Sequence, residues 1–382
     1  MRVAVVHEWF TTWAGSENVV EQILACFPEA DLFALIDFLP LRDRKRLGDR
    51  KIHTSFMQQL PFARTRYRSY LPVMPFAVES LDLSGYDLII SSSHAVAKGV
   101  RTNPGQLHIS YVHSPMRYAW DLREQYLKES GLERGMKGLL ARWMLKRLRN
   151  WDVRTAISVD KFIANSHYIA ARVRNAYNRN ADVIYPPVDV ESFVAREDKD
   201  DYYVTASRLV PYKKVDLVVE AFAGMPEKRL VVIGDGPSMP GIRAKAGRNV
   251  SFLGHLTREE LARHLQAARA FIFAAEEDFG ILPVEAQACG TPVIAFGRGG
   301  VTESVIGLDF DDPTGLFFDE QSAAAIRTAV TTFETMSPRI SPSACRRNAE
   351  RFSVMRFRES FSAYICKAAE MGKMEKADRR DP

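Results

Sequence analysis

The stretch AFIFAAEEDFGILPVEAQACGTPVIA, residues 270–295, reads as strand, loop, helix and strand in quick succession. The apolar run to Ala275 suits a strand buried on both faces, and TPVIAF suits a second. Between them a loop carries Glu277, Asp278 and Gly280. Pro283 is expected at the first position of a helix of about two turns, which Gly290 closes. Two buried parallel strands joined by a helix form the unit of a doubly wound sheet, whose ligands bind beyond the carboxyl ends of the strands. Glu277 then lies in a strand-end loop and Glu285 in the first helical turn, with Phe279, Gly280, Ile281 and Leu282 between them. Free backbone N–H groups at a helix start favour anions. The stretch is therefore a candidate seat for a diphosphate, its carboxylates accepting hydrogen bonds from sugar or ribose hydroxyls. The bland alternative makes both glutamates ordinary solvated acids.

Moving outward, the same alternation fills the second half. YYVTAS, RLVVIG, VSFLG and GLFF are further short strands, with helical segments between them. Among these, ASRLVPYKKVDLVVEAF (206–222) ends a strand at Arg208 and sets Lys213 and Lys214 just before a helix. Cations at that point supply what a departing nucleotide diphosphate needs as charge builds on it. A solvated basic loop is the plain alternative.

The first half follows the same plan. RVAVV opens it, and His7 and Glu8 are read as ending the run. A Gly15 turn follows, then a helical pattern with Ser16 as the expected cap. DLIISSS, LHISYVH, KFIANS and ADVIYP are the later strand candidates. The acidic stretch VESFVAREDKDD follows Pro186–Pro187. The expected division is a domain over 1–186, a linker over 187–201, a second domain over 202–354, and a helix and tail over 355–382 that return to the first.

Composition agrees with an ordered globular chain of two domains. The chain has 382 residues, 46% hydrophobic and 26% charged. Its four cysteines are scattered with no metal-ligand spacing, which points to a reducing cytosol. The N-terminal apolar run is too short for a secretory core, so export is not expected. Charge is uneven: residues 1–185 hold 26 Lys and Arg against 18 Asp and Glu, a net +8, whereas 186–382 hold 26 against 29, a net −3. A basic first half implies an anionic partner on that side.

With these residues in hand, the chain resembles glycosyltransferase family 4, retaining enzymes of the GT-B fold, in which two Rossmann-like domains face each other across a cleft. The family signature, two glutamates separated by seven residues, is matched by Glu277 and Glu285. The resemblance implies that Arg208 and Lys213 hold the diphosphate, Lys214 being the near alternative. It implies that Glu277 contacts the transferred sugar and Glu285 the ribose. In TTWAGSENVV, Ala14–Gly15 stand where many relatives have two glycines that approach the diphosphate. In SYVHSPMRYAW, His113 matches a histidine that touches the reacting sugar, the alternative being a hydrogen-bonded core histidine. The stretches VPYKKVDLVVEAF, EEDFGILPVEAQACGTPVIAFGRGG and SSSHAVAKGVRTNPGQLHISYVHSPMRYAWD look most like bacterial O-antigen mannosyltransferases that use GDP-mannose. The implied activity needs no metal and no cofactor beyond the nucleotide sugar, and its acceptor is a saccharide, lipid-linked or free.

Two basic segments suit a lipid surface. Residues 51–75 mix Phe56, Leu60, Phe62, Tyr67 and Tyr70 with Arg64, Arg66 and Arg68, which are the expected acceptor or membrane side. Residues 133–154 set Leu140, Trp143, Met144, Leu148 and Trp151 at helical spacing among Lys137, Arg142, Lys146, Arg147 and Arg149. For the second segment the plainer reading is a core stripe with solvated arginines. The expected location is the cytoplasm or the inner face of the cell membrane. Asp198–Lys199–Asp200 and Asp309–Phe310–Asp311 are read as solvated rather than metal-binding. Gly234–Asp235–Gly236 and Gly297–Arg298–Gly299 lack the third glycine of a dinucleotide fingerprint. A nucleotide-sugar epimerase or hydrolase and a non-catalytic binding protein are the rival readings. Nucleic-acid binding ranks last, since no nucleic-acid signature is present.

Overall fold

The computed structural model describes residues 1–117, 119–120, 127 and 135–378, with side chains as far as residue 371. Tyr118 and Asp121 of the resemblance stretch, residues 133–134 of the second basic segment and the tail 379–382 lie outside the described residues. The chain divides into two compact units, Met1–Tyr185 together with the chain from Phe357 onward, and Pro186–Arg356. Each is a Rossmann-like parallel sheet flanked by helices, the GT-B pair of domains.

The first sheet contains β1 (Val3–Phe10), β2 (Asp31–Asp37), β3 (Ile52–Thr54), β4 (Leu88–Ser93), β5 (Leu107–Val112), β6 (Lys161–Ala164) and β7 (Ala181–Val183). Its strands are all parallel, in the order β3-β2-β1-β4-β5-β6-β7. Along β1 the side chains alternate between two cores: Ala4 and Val6 join one, Val3 and Val5 the other. β2 and β3 lie outside the strands expected from the sequence. The first is an apolar run bracketed by aspartates, and the second is only three residues long.

Two expectations in this unit are corrected. β1 runs on through His7 and Glu8, both fully buried, to Phe10. A polar pair is tolerated there because β4 and the turn after it supply partners. The helix Gly15–Cys26 is capped by Ala14, not by Ser16. Glu17 folds back so that its Oε2 accepts the Ala14 N–H at 3.0 Å. At the other end of the chain, the helix Val354–Asp378 lays Phe357, Phe361, Ile365 and Ala368 against Val19, Val20 and Ile23 of that first helix.

The second sheet contains β8 (Tyr203–Ala206), β9 (Leu230–Ile233), β10 (Val250–Gly254), β11 (Ala270–Phe273), β12 (Val293–Phe296) and β13 (Gly315–Phe318), all parallel, in the order β10-β9-β8-β11-β12-β13. Residues 187–201, expected as a linker, are packed onto this unit. Val190 and Phe193 are buried, Val188 bridges to Ser353, and Asp200 N–H donates to the Ala267 carbonyl at 2.7 Å. Lys199 is no solvated lysine either. Its Nζ reaches the Gln266 carbonyl (2.9 Å), Thr291 Oγ1 (2.9 Å) and the Cys289 carbonyl (3.3 Å), and burial brings its pKa down to about 8. The hidden apolar residues Val190 and Phe193 outweigh the acidic character that suggested exposure. Among the described residues no helix is long and apolar enough to cross a membrane.

Candidate active site

In both sheets the strand order reverses between two neighbours, β1 and β4 in the first and β8 and β11 in the second. The loops that leave such a pair diverge, opening a crevice at the carboxyl ends. The donor-site candidates picked from the sequence lie in loops near these two points, whereas the arginines of 64–68 do not.

In the second unit, Arg208 follows β8 and the turn Pro211–Lys213 follows it. Lys214 takes the left-handed conformation, φ 56°, so that the chain can enter the helix Val215–Ala223. Because β8 is paired with β11, the loop after β11 lies alongside. Lys213 Nζ donates to Glu277 Oε1 in an ion pair. Arg208 is exposed, and among the described residues its guanidinium has no hydrogen-bond or ion-pair partner. Of the two adjacent lysines, then, Lys213 is the one the fold turns toward Glu277.

Glycines shape these loops. A Cβ at Gly234 would stand 1.8 Å from the Ser207 carbonyl oxygen, and one at Gly236 2.4 Å from that of Leu209. The Gly234–Asp235–Gly236 turn is thus the support on which the Arg208 loop rests. Glu277 bridges to Gly299, and Gly300 N–H donates to the Glu277 carbonyl at 2.9 Å. A Cβ at Gly299 would come within 2.5 Å of that same oxygen, and Gly299 also has φ +84°. Sequence reading weighed the second of these glycine runs only as an incomplete fingerprint. Its packing against Glu277 depends on a contact between positions 277 and 299 that no local pattern announces.

The helix after the loop is Ile281–Ala288, capped by Gly280 at φ 87°. Pro283 is therefore its third residue rather than its first, and Glu285 its fifth, in the second turn. The amides without an intrahelical partner at the helix start are those of Gly280, Ile281 and Leu282, since Pro283 has none. Phe279 is buried and meets Phe352 edge to face, ring centroids 5.3 Å apart, which anchors the loop. Burial raises the Glu285 carboxyl to about 7, against the pull of Arg258 and with the push of Asp189. Near neutrality this group can both donate and accept a hydrogen bond.

In the first unit the site is a cluster of titratable groups. His113 follows β5, and its Nε2 lies 2.8 Å from Ser92 Oγ on β4. His7 lies 3.3 Å from the Ser92 carbonyl and 3.4 Å from Glu17 Oε1, so the Ala14–Gly15 turn is tied to the same strand ends. Glu8 and His94 were not anticipated from the sequence. Glu8 Oε1 accepts the N–H groups of His94 (2.9 Å), Ala95 (2.8 Å) and Ala97 (3.2 Å), while its Oε2 faces His94 Nδ1 at 3.0 Å. Burial opposes the Glu8 charge, but His94 and these donors outweigh it and hold the carboxyl well below its usual range. The same pair raises His94, again against its burial. His113 is pushed down to about 3 by burial and by His94 and His7, and it stays neutral. The sequence did carry one sign of this cluster: an acid and a histidine set inside a buried apolar strand.

Arg64, Arg66 and Arg68 belong to neither switch point. They are exposed on the short helical segments Ala63–Arg66 and Tyr67–Tyr70 of the first unit.

Comparison with known proteins adds the family. The model of Glycosyltransferase Family 4 matches residues 13–192, and that of Glycosyl transferases group 1 matches residues 189–352. D-inositol 3-phosphate glycosyltransferase of Mycobacterium sp. (strain KMS) is 28% identical over 220 residues, 51% of this chain and 49% of the relative. The protein of the same description from Mycobacteroides abscessus is 33% identical over 183 residues, 41% and 40% of the two chains. The chain thus spans about half the length or less of these curated relatives. Among solved structures, Anabaena HepE in complex with UDP superposes with TM-score 0.68 at 17% identity, over 96% of this chain and 100% of that one. Sucrose-phosphate synthase from Thermosynechococcus elongatus does so with TM-score 0.65 at 18% identity, over the whole of both chains. The chain carries a Glycosyltransferase Family 4 domain followed by a group 1 glycosyl transferase domain, and it belongs with the family 4 glycosyltransferases of GT-B fold.

Proposed function

We propose that the chain is a retaining hexosyltransferase. It moves a sugar from a nucleotide diphosphate onto a saccharide or lipid-linked saccharide in cell-surface polysaccharide synthesis. The observation that carries this reading is the Lys213–Glu277 pair, with Arg208 at the end of the neighbouring strand. It is a cationic and carboxylate set placed where a doubly wound sheet binds ligands.

In this reading the bond between the anomeric carbon and the diphosphate breaks, and negative charge builds on the leaving phosphate. Arg208 and Lys213 stabilise that charge, and the two cations supply what a metal ion supplies elsewhere. When the donor enters, Lys213 exchanges Glu277 for phosphate oxygens. Glu277 is then released to accept hydrogen bonds from the sugar hydroxyls. Glu285 serves the ribose, and its raised pKa suits a partner that both donates and accepts. The first amides of the helix Ile281–Ala288 serve the diphosphate, and Phe279 and Gly280 shape that loop; a diphosphate contact of the Ala14–Gly15 backbone rests on the family resemblance. Neutral His113 holds a sugar hydroxyl. The acceptor hydroxyl attacks from the face of the departing group and passes its proton to a donor phosphate oxygen, so no protein nucleophile is assigned. The resemblance supports GDP-mannose as the donor.

A second reading keeps the reaction and takes a UDP-hexose. It is favoured by the shared fold of HepE, whose structures hold UDP and UDP-glucose. Thermal melting without added metal, against GDP, UDP, ADP, dTDP and their sugar conjugates, separates the two. Ligand at about a hundred times its dissociation constant raises stability by roughly 2.7 kcal/mol. Selective response to GDP compounds supports the mannosyl reading, and response to UDP compounds replaces it. Silence toward every nucleotide overturns the donor site itself. Fast donor turnover without acceptor points instead to a hydrolase or epimerase. Activity abolished by a chelator and restored by a divalent cation refutes the metal-free scheme.

A further inference from the structure

We infer that the outer face of the helix Gly135–Thr155 in the first unit docks on an anionic lipid bilayer.

The helix Gly135–Thr155 has two apolar stripes. Leu145, Leu148 and Trp151 are buried in the core beneath the sheet. Met136 (87% exposed), Leu139 (69%), Leu140 (56%) and Trp143 (52%) follow one another at the i, i+3, i+4, i+7 spacing. By that spacing they form a second stripe, on the side of the helix away from the core. Lys137, Lys146, Arg147, Arg149 and Arg154 are exposed on the same helix. Its one acid, Asp152, is buried and neutralised by Lys98 at 2.5 Å. Arg147 lies over the Trp143 ring at 4.4 Å, a pairing that suits the boundary between headgroups and acyl chains.

The segment 56–76 of the same unit carries exposed aromatic and basic residues too, and packs into the same core. Its Tyr67, Leu71 and Met74 share the core of Leu145 and Leu148, and Trp151 Nε1 donates to Glu79 Oε1 at 2.6 Å. Arg64, Arg66 and Arg68 are exposed here, as are Phe62 and Phe76, each at 69%. Phe62 is held at φ 56°, a left-handed conformation that costs a non-glycine residue roughly 1–2 kcal/mol. The fold thus accepts strain to display an aromatic ring that it does not bury.

Exposed apolar tips interleaved with flexible cations, and with no acid exposed on the helix, match an anionic leaflet. The apolar side chains enter the headgroup boundary while the cations meet lipid phosphates. The inference does not depend on the donor assignment, because its test reads binding rather than turnover.

The full chain is sedimented with phosphatidylcholine vesicles and with vesicles that also contain phosphatidylglycerol. Binding to the second kind alone is expected, and it weakens as salt rises. Two double variants, Leu139→Ser/Trp143→Ser and Lys146→Glu/Arg147→Glu, each lower the partition about tenfold or more. Arg248→Glu, an exposed reversal in the second unit, leaves it unchanged. Unchanged melting curves show that each variant is folded. Three results overturn the inference: no binding to either vesicle, equal binding by wild type and both double variants, or binding to neither alongside a dimer that the same substitutions dissociate.

Discussion

At the scale of single residues, the two charged centres differ in what they ask of their neighbours. Lys213 and Glu277 are half-buried and need one another only until a stronger partner arrives. Replacing Lys213 or Arg208 with Ala is expected to raise the barrier by about 2.7–4 kcal/mol, as for one lost oxyanion donor. The comparison of kcat for these variants with Lys214→Ala, expected to lose far less, measures it; an equal loss in all three refutes the assignment. Glu8 is a different case, since it is fully buried and takes three backbone N–H groups besides His94. Its removal strands a charge. Glu8→Gln should lower the melting temperature and bring down the His94 pKa, because burial, the largest influence on it, is then opposed by Glu17 alone. An NMR titration of the histidines follows this directly. A His94 pKa unmoved by the substitution contradicts the pairing.

Elements are held by contacts that span the chain. The helix Gly135–Thr155 hangs on Asp152, whose carboxylate also accepts Trp120 Nε1 and Tyr177 OH, each at 2.9 Å. Asp152→Ala leaves the Lys98 ammonium buried and unpaired, at an expected cost of about 3–5 kcal/mol. Urea unfolding reads that loss as a lower midpoint, and a loss below about 1 kcal/mol makes the pair peripheral. The loop before the helix Ile281–Ala288 has its own test. Gly299→Ala places a methyl 2.5 Å from the Glu277 carbonyl oxygen at a positive φ, so the loop must move. Donor affinity should fall together with stability. Full donor affinity in this variant means that Glu277 does not depend on its bridge to Gly299.

Across the whole molecule, the histidines of the first unit set the response to acid. His108 is fully buried 2.9 Å from Ser91 Oγ, and burial brings its pKa from 6.5 to about 4. A pKa lower in the folded than in the unfolded chain means that the unfolded chain takes up the proton first. This stability is complete above pH 6.5 and is lost as the pH falls toward 4, a change worth roughly 3 kcal/mol. His113 adds to the loss in the same direction, whereas His94, raised on folding, gains stability only as the pH falls to 6.5 and changes nothing further below it. The chain should therefore melt at a lower temperature at pH 5 than at pH 7, and His108→Gln should flatten that slope. A melting temperature flat between the two, in wild type, excludes a buried neutral His108.

What could be read from residues alone was what short-range patterning encodes. The alternation of buried apolar runs with helical periodicity determined two parallel sheets, and residues just after those runs became the site candidates Arg208, Lys213, Glu277 and His113. Such patterns work because backbone pairing and burial act on neighbours in sequence. Tertiary structure decided everything that rests on partners from elsewhere in the chain. It paired Lys213 with Glu277 and turned Lys214 into a helix cap. It sank His7 and Glu8 into a strand, because donors from residues 93–97 satisfy the carboxylate there. It also divided the apolar residues of 135–154 into a core stripe and an exposed one. Spacing makes a stripe visible, but only the packed neighbours determine which side meets the core.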